Sequence, residues 1–586
     1  MSHSPHPLES LLPDEIGRAA NIIKTNYSKV ALFRAIYLME EPKSLLIDYL
    51  TAEHRGIQRQ QLSRKACVQF DLAGDRKTYE AIVNLDYEEE IYCHSLENSS
   101  QFISYPVNRY SEEKFIMNIA CQKSIIFQDQ LRQFCLPPNV EVEVEPWLYS
   151  NPITDSIVGS CHVYSTQLQQ HGLRYIGPLP LRVTMDRRKG EISSVQVAPS
   201  GGSLDGHQIN TGCSNVVDHC APMIQKPISS PSLDQSQVYE KMSSLVEWRG
   251  WRFRIGFNPK EGPTIHDVAF DGYSVLYRLS LSELAVLGSD PRHIWNEKQI
   301  YPFKTHGLNI SPNSLYPCAH EGSVGYLDAV ICSLSGKPFI IENAICIYTE
   351  RIPRSSLHQK VVQFTLTLED HTYIIAYCFD VKGRISIEVQ ITSIPSGVNI
   401  DPWKEAPEWG TVIQPGVLAQ IQQHLFCLRI DPSVAGHNNT IFREHCFTLP
   451  VSAENPRGNG FRVYSQKITP PAEFSFSSSV GYRIRMVNLA TINPTAMRPV
   501  AYCFQPLSTP KILANPSSIV GRDAGFANEI RVTAADRVLN GHPEVREDNG
   551  PVIYYSFSHC SHPTTEQSLE KKIQFQITPE NFHDHC

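Results

Sequence analysis

Long apolar segments are missing from this chain of 586 residues. No run approaches the roughly 18 apolar residues that a membrane-spanning helix needs, and residues 1–14 are polar, unlike a signal peptide. We therefore expect an intracellular, cytoplasmic protein with no membrane partner.

Paired cysteines are missing as well. The 16 cysteines are scattered, the closest two being Cys213 and Cys220, and no CxxC motif occurs. Zinc ribbons and thioredoxin-like sites are therefore excluded. Because thiols stay reduced inside cells, we expect mostly free cysteines.

An excess of positive charge is also absent. The chain has 52 Lys and Arg against 60 Asp and Glu, a net charge of −8, which argues against a nucleic-acid partner. The short motifs of dinucleotide-binding folds, P-loop proteins, α/β-hydrolases and HExxH metalloproteases do not occur. None of these classes therefore has its minimal signature here.

The composition that is present indicates a loop-rich, β-rich globular protein of several domains. It includes 41 prolines and 32 glycines, with 41% hydrophobic and 19% charged residues. Two small α+β domains are predicted, at 1–95 and 96–197. A Pro-, Gly- and Ser-rich linker is predicted at 198–236, and one large antiparallel β-sandwich at 237–586.

Hydrophobic periodicity supports this division. Helical spacing after Pro13 predicts a first helix, and a strand-rich stretch follows at 66–85. A second helix is predicted with Ser111 as its N-cap. The apolar positions of the two predicted helices are, in order, Ile16, Ala19, Ala20 and Ile23, then Phe115, Ile119 and Ala120.

Strict alternation predicts strands. It occurs at 140–144 in the second domain and, in the sandwich, at 361–368, 373–379 and 385–391. In the last of these strands Ser386, Glu388 and Gln390 are expected to point outward. Asp380 to Gly383 supplies the turn before it.

Several separated motifs, in one order, resemble the copper amine oxidases. They include VEWRGWRFRIGFN at 246–258, YRLSLSEL at 277–284, DPR at 290–292, GKPFIIENAICI at 336–347, QHLF at 423–426, NN at 438–439 and GF at 525–526. Residues 6–8, the first helix and VEPW at 144–147 extend the resemblance to that family's two small N-terminal domains. Nearly the whole chain is covered.

The resemblance implies a fold of two small α+β domains and a large β-sandwich that forms a homodimer by exchanging hairpin arms. It also implies oxidation of primary amines by topaquinone, a cofactor that bound copper makes from a tyrosine of the protein. Such chemistry requires the precursor tyrosine, three copper-binding histidines, a carboxylate base and a tyrosine bonded to the quinone.

Residues at these positions depart from the family pattern. Aligned through the Gly383 turn, the precursor position holds His371, and imidazole cannot become this quinone. Tyr373 lies two residues on, on the same strand face, and is considered as a displaced precursor. The sequence therefore predicts a degenerate member without topaquinone.

The copper positions are altered too. The His-x-His pair of the family becomes Gln422-x-His424, and an amide oxygen is a poor copper ligand. The third position holds Ser561, flanked by His559 and His562. A one-residue slip would bring in His562, but on a strand such a slip turns the side chain to the other face.

Other family positions differ in the same way. Lys304 stands where the family has its catalytic aspartate, and Gly288 where it has the quinone-bonded tyrosine. Cys346 has His320 at its disulfide partner's position, although Cys318 lies nearby, so this disulfide is expected to be missing.

Three functions remain open. In the first, the old pocket catalyses a non-oxidative step, an isomerisation, cyclisation or addition, on a small biosynthetic molecule. His371 would be the acid/base there, with Asp370 and Tyr373 orienting it or the ligand. In a version with metal, His371, His424 and either His562 or His559 would bind zinc or copper. The alternatives are a catalytically silent dimer that binds a ligand or regulates a relative, and a residual copper- and quinone-dependent amine oxidase.

Overall fold

The structure is a computed structural model. It describes residues 5–73, 77–96, 109–136, 138, 140–151, 156–165, 175–186, 189–198, 239–291, 324–352, 355–368, 371–393, 397–401, 407–414, 416–474, 481–518, 530–533, 550–564 and 569–583. Of the predicted linker 198–236, all but Ala198 lies outside these residues. None of the helices in these ranges is long and apolar enough to cross a membrane.

The first unit is a four-stranded antiparallel sheet, in the order β1-β2-β3-β4, with two helices. Its elements are α1 (Pro13–Asn26), β1 (Val30–Met39), α2 (Lys43–His54), β2 (Lys65–Leu72), β3 (Thr78–Asn84) and β4 (Glu89–Leu96). The predicted first helix and strand-rich stretch are confirmed. Helix α1 buries the predicted apolar positions together with Glu15, whose carboxylate is bound bidentately by the Arg64 guanidinium.

The second unit is also a four-stranded antiparallel sheet with two helices, in the order β5-β6-β7-β8. Its elements are α3 (Arg109–Lys123), α4 (Ile125–Arg132), β5 (Val140–Asn151), β6 (Ser156–Ser165), β7 (Tyr175–Asp186) and β8 (Glu191–Val197). The predicted strand at 140–144 is confirmed.

The prediction for helix α3 is wrong in two respects. The helix already includes Arg109, so Ser111 lies inside it and is not the N-cap. Its buried face contains Met117, Ala120 and Cys121, whereas Phe115 is exposed. The apolar residues of this segment fall on more than one side of the helix, and contact with β5 determines which side is covered.

The sandwich comprises the remaining strands. These are β9 (Tyr239–Lys241), β10 (Leu245–Trp248), β11 (Trp251–Asn258), β12 (Gly262–Phe270), β13 (Tyr273–Gly288), β14 (Val324–Cys332), β15 (Pro338–Arg351), β16 (His358–Leu368), β17 (His371–Asp380), β18 (Ile385–Ser393), β19 (Gly397–Asn399), β20 (Gly410–Gln414), β21 (Val417–Gln420), β22 (Gln422–Pro432), β23 (Thr440–Thr448), β24 (Phe461–Ile468), β25 (Ala472–Phe474), β26 (Arg483–Asn493), β27 (Arg498–Phe504), β28 (Ile530–Thr533), β29 (Val552–Ser561) and β30 (Leu569–Glu580).

Two large sheets and one small sheet result. The first has eight strands in the order β10-β11-β12-β13-β22-β29-β28-β25, and the second has eleven in the order β24-β23-β26-β27-β30-β18-β17-β16-β15-β14-β9. Strands β19, β21 and β20 form the small sheet. Among the described strands, only the β9–β14 pair is parallel. The predicted fold class, α+β units followed by a large antiparallel β-sandwich, is confirmed.

The two large sheets face each other across one apolar core. The three strands predicted from alternation are confirmed as β16, β17 and β18, whose inward residues are mostly aliphatic or aromatic. The predicted turn is confirmed as well. The Asp380 carboxylate accepts the backbone N–H groups of Lys382 and Arg384, and Gly383 has φ +78°, a conformation that favours glycine.

The first unit is attached to the sandwich by polar contacts. Nζ of Lys43, at the start of α2, lies 2.5 Å from the carboxylate of Asp431 on β22, and both groups are buried. The backbone N–H of Phe33 donates to the carbonyl of Leu334 in the β14–β15 turn. Removing one partner of a buried ion pair is strongly destabilising, because it leaves the other charge buried and uncompensated.

One expectation about cysteines is wrong. Cys346 on β15 is disulfide-bonded, so this disulfide is not missing, although the expected partner position holds His320. Eleven other described cysteines are not in disulfide bonds, as expected for most of the thiols.

Candidate functional site

The candidate site lies between the two large sheets, at one end of the sandwich. Strand β17 begins there with His371, strand β22 begins there with Gln422, and strand β29 ends there with Ser561. Because side chains alternate along a strand, His371 and Tyr373 share the inward face of β17, and Gln422 and His424 share one face of β22.

Three aromatic side chains of this site are almost completely buried. The exposed fraction is 3% for His371 and 0% for both Tyr373 and His424. The rings of His371 and His424 meet edge to face, with centroids 5.1 Å apart. Tyr373 also packs edge-on against Phe426, which connects the site to the apolar core.

A chain of hydrogen bonds runs through His424. The Tyr373 hydroxyl lies 2.8 Å from Nδ1 of His424, and Nε2 of His424 lies 3.2 Å from Oγ of Ser561. The Ser561 hydroxyl donates to the backbone carbonyl of Gln422 at 3.3 Å. Both ring nitrogens of this buried imidazole are therefore in contact with groups of the protein.

Strand register explains why these residues meet. Gly288, Gln422 and Ser561 lie in one row across β13, β22 and β29. His424 lies two rows further on, opposite His559. The three positions at which the sequence resemblance leads us to expect copper ligands thus lie together, although only one of them carries an imidazole.

The other predicted site residues are placed as follows. His559 is half-buried beside His424. His562 is exposed, because it follows the buried Ser561 by one residue and neighbouring side chains along a strand point to opposite faces. The structure therefore brings together His371, Tyr373, His424 and His559, but not His562. Asp370 and Lys304 lie outside the described residues.

The site disfavours a charged imidazole. Burial, followed by the neighbouring His371 and His559, holds the pKa of His424 well below its ordinary value of 6.5. At neutral pH this ring is uncharged, so it carries one N–H donor and one acceptor nitrogen.

The described residues do not fit the family's copper site. Gln422 offers an amide and Ser561 a hydroxyl where two imidazoles would be needed, and both nitrogens of His424 already contact protein groups. Nor do they fit topaquinone, because imidazole at the precursor position cannot be oxidised to it. Within the described ranges, three metal-ligand groups lie within 4.8 Å of one another only at Glu53, His54 and Asp267.

Arginine side chains bind the cluster of Glu53, His54 and Asp267, so it does not resemble a metal site. Arg252 contacts all three of its members, and Arg254 also binds Glu53. A bound cation would have to displace these guanidinium groups. We therefore assign the cluster to contact between α2 and the sandwich.

Ser561 is a site residue whose role the sequence does not predict. Its position among the expected copper ligands indicates only a lost ligand, whereas in the structure it is a partner of His424. The ungapped alignment, which puts Ser561 at the third ligand position, was the signal that could have identified the contact. It identified the position but not the hydrogen bond.

Comparison with known proteins identifies the family. Residues 240–538 match the family model "Copper amine oxidase, enzyme domain". The chain is 34% identical to copper amine oxidase 1 of Aspergillus niger over 571 residues, which covers 89% of this chain and 83% of the relative. It is 29% identical over 313 residues to the copper amine oxidase-like protein cao2 of Schizosaccharomyces pombe, covering 49% of this chain and 38% of the relative.

The fold agrees with this result. A copper-containing benzylamine oxidase from Hansenula polymorpha superposes with a TM-score of 0.85 at 23% identity, covering 99% of this chain and 98% of that one. By the matching family model and the relative that is 34% identical to it, the chain belongs to the copper amine oxidase family.

Proposed function

We propose that this chain has lost amine oxidation and that its site catalyses a non-oxidative isomerisation, cyclisation or addition on a small biosynthetic molecule. The observation that carries the proposal is the direct contact of His424 with Ser561, at positions where the family places copper-binding imidazoles. His371 at the precursor position supports the same reading.

His371 is the proposed acid/base. An imidazole gives and takes protons near neutral pH, and a non-oxidative step needs only such transfers. His371 would remove a proton from one atom of the substrate and return it to another, so that no electrons leave the substrate. Tyr373 and Asp370 are the proposed orienting groups.

Metabolite profiling of a deletion strain tests this function. We expect one intermediate to accumulate, and the purified protein to convert it without peroxide release. The variant H371A should fold normally but lose turnover. Unchanged turnover in H371A would rule out the acid/base role.

Metal content is the second test. In a competing version of the site, His371, His424 and His559 or His562 bind zinc or copper. Purified protein loaded with either ion and then desalted should retain less than about a tenth of an equivalent, because Ser561 and Tyr373 occupy the nitrogens of His424. Retention of a full equivalent would favour the metal version.

A catalytically silent dimer is the second candidate, and one surface favours it. Strands β23 and β24 pair over 441–448 and 461–468, whereas among the described residues β23 pairs with the rest of the sheet, through β26, only at 440–444. The tip of this hairpin therefore exposes apolar side chains, namely Phe447, Val451, Phe461, Val463 and Tyr464. Two-stranded ribbons are marginal alone, and large exposed apolar patches are typical of interfaces.

Light scattering tests the proposed homodimer. We expect the wild-type chain to be dimeric and V463E to shift toward monomer. Y87E, at an even more exposed apolar residue in a turn of the first unit, is the control and should remain dimeric. Co-purification with an active amine oxidase would favour a regulatory mixed dimer.

Residual oxidase activity is the third reading, with Tyr373 as a displaced precursor. Its phenol does lie beside His424, at 2.8 Å. Quinone redox staining after copper loading, and peroxide release with simple amines, test it. A stain that disappears in Y373F would favour this reading over the non-oxidative one.

A further inference from the structure

Ser561 has a single hydroxyl proton but two polar contacts. Its hydroxyl donates to the carbonyl of Gln422 at 3.3 Å, and the same oxygen lies 3.2 Å from Nε2 of His424. When the proton points to the carbonyl, the oxygen can only accept from His424. The Nε2 atom must then carry the imidazole proton.

The two neutral forms of His424 can be compared on this basis. With the proton on Nε2, three bonds form together: Tyr373 to Nδ1, Nε2 to Ser561, and Ser561 to the carbonyl of Gln422. With the proton on Nδ1, Ser561 must turn its hydroxyl toward Nε2 and release the carbonyl. One net hydrogen bond contributes about 1 kcal/mol, which favours the first form about fivefold.

We propose that Ser561 is a positioning residue that sets the tautomer of His424 and so fixes the direction of the hydrogen bond with Tyr373. In the favoured form the phenol donates to Nδ1 of His424. His424 acts as a fixed acceptor and takes no proton itself. The catalytic meaning of this arrangement rests on the proposed function, but the tautomer does not.

Nuclear magnetic resonance of protein labelled with ¹⁵N-histidine measures the tautomer directly. H424Q identifies the His424 signals by their loss. We expect the wild-type ring to be neutral and protonated on Nε2. Protonation on Nδ1 in the wild-type protein would overturn the proposal without any further variant.

Two variants separate Ser561 from Tyr373 as the cause. S561A should abolish the roughly fivefold preference for Nε2–H, and S561T, which keeps the hydroxyl, should restore it. Y373F should leave the preference in place, because the contacts of Ser561 remain. An unchanged tautomer in S561A, or loss of the preference in Y373F alone, would contradict the proposal.

The outcome is distinguishable from failure of the proposed function. If H371A retains turnover while S561A changes the tautomer, the acid/base role is wrong but the positioning role of Ser561 remains. If H371A loses turnover while the tautomer of His424 does not change in S561A, the acid/base role of His371 stands and the positioning role of Ser561 is wrong.

Discussion

Restoring the two altered ligand positions should restore metal binding. Gln422 and His424 lie two residues apart on one face of β22, and Ser561 lies opposite Gln422 on β29. The Oγ atom of Ser561 is 3.2 Å from Nε2 of His424. Imidazoles at positions 422, 424 and 561 would therefore project from two neighbouring strands into one space, where a tetrahedral ion takes nitrogen ligands at about 2.0–2.1 Å. We therefore expect the double variant Q422H/S561H to bind copper.

The expected gain in copper-binding free energy follows from the fraction of sites that hold copper. With about 10 μM free copper, less than a tenth of an equivalent implies a dissociation constant above about 90 μM, and nine-tenths implies about 1 μM. The double variant must therefore gain at least about 2.7 kcal/mol of binding free energy over the wild type. Two imidazoles that replace an amide and a hydroxyl are a sufficient chemical change for this gain.

Metal analysis after equilibrium dialysis against about 10 μM free copper measures the result. The matched control is Q423H/S561H, which has the same number of histidines, but residue 423 points to the other face, where Gln423 bonds to Ser558. We expect this control to bind no more copper than S561H alone. Equal copper in both double variants, or a full equivalent in the wild type, would refute our assignment of these positions.

Three further outcomes are expected. R64A should lower the free energy of unfolding in urea by about 3–5 kcal/mol, because the buried Glu15 carboxylate loses its bidentate partner; a loss under about 1 kcal/mol would contradict this. Y373F should lower the free energy of unfolding by about 1–3 kcal/mol, because a buried nitrogen of His424 loses its hydrogen-bond donor. An unchanged midpoint of urea unfolding would contradict this prediction. Burial, followed by the nearby arginines, holds the pKa of His266 well below 6.5, and burial lowers the pKa of His424 too. Below pH 6.5 the unfolded chain therefore binds more protons than the folded chain, and the free energy of unfolding should fall as pH drops, by up to about 1.4 kcal/mol per pH unit for each group. H266Q should reduce this slope in urea unfolding measured across pH.

Local pattern was sufficient for much of the fold. Inward isoleucines with Ser386, Glu388 and Gln390 between them predicted β18, because a half-buried strand repeats every two residues. Helix α3 was harder to predict, because apolar residues lie on several of its sides and only tertiary contact selects Met117 over Phe115. The disulfide of Cys346 likewise depends on which residues meet in space.

The candidate site was predictable one strand at a time. Alternation placed His371 and Tyr373 on one face, and both are buried there. The contact of Tyr373 with His424 joins residues 51 positions apart on strands of two different sheets. Periodicity within one strand contains no information about which residues of another sheet it contacts. The chain of hydrogen bonds could therefore be identified only from the structure.

The arrangement around His424 also explains how this site could change without loss of the fold. A buried imidazole costs free energy unless both ring nitrogens are hydrogen-bonded. Tyr373 and Ser561 supply both partners, while Phe426 stacks on Phe557 in the next row and keeps the core continuous. An imidazole introduced at position 561 alone would remove the Ser561 partner of His424 without completing a metal site. We therefore expect S561H alone to be less stable than either the wild type or copper-loaded Q422H/S561H, so that a route to the metal site through S561H passes through a disfavoured intermediate.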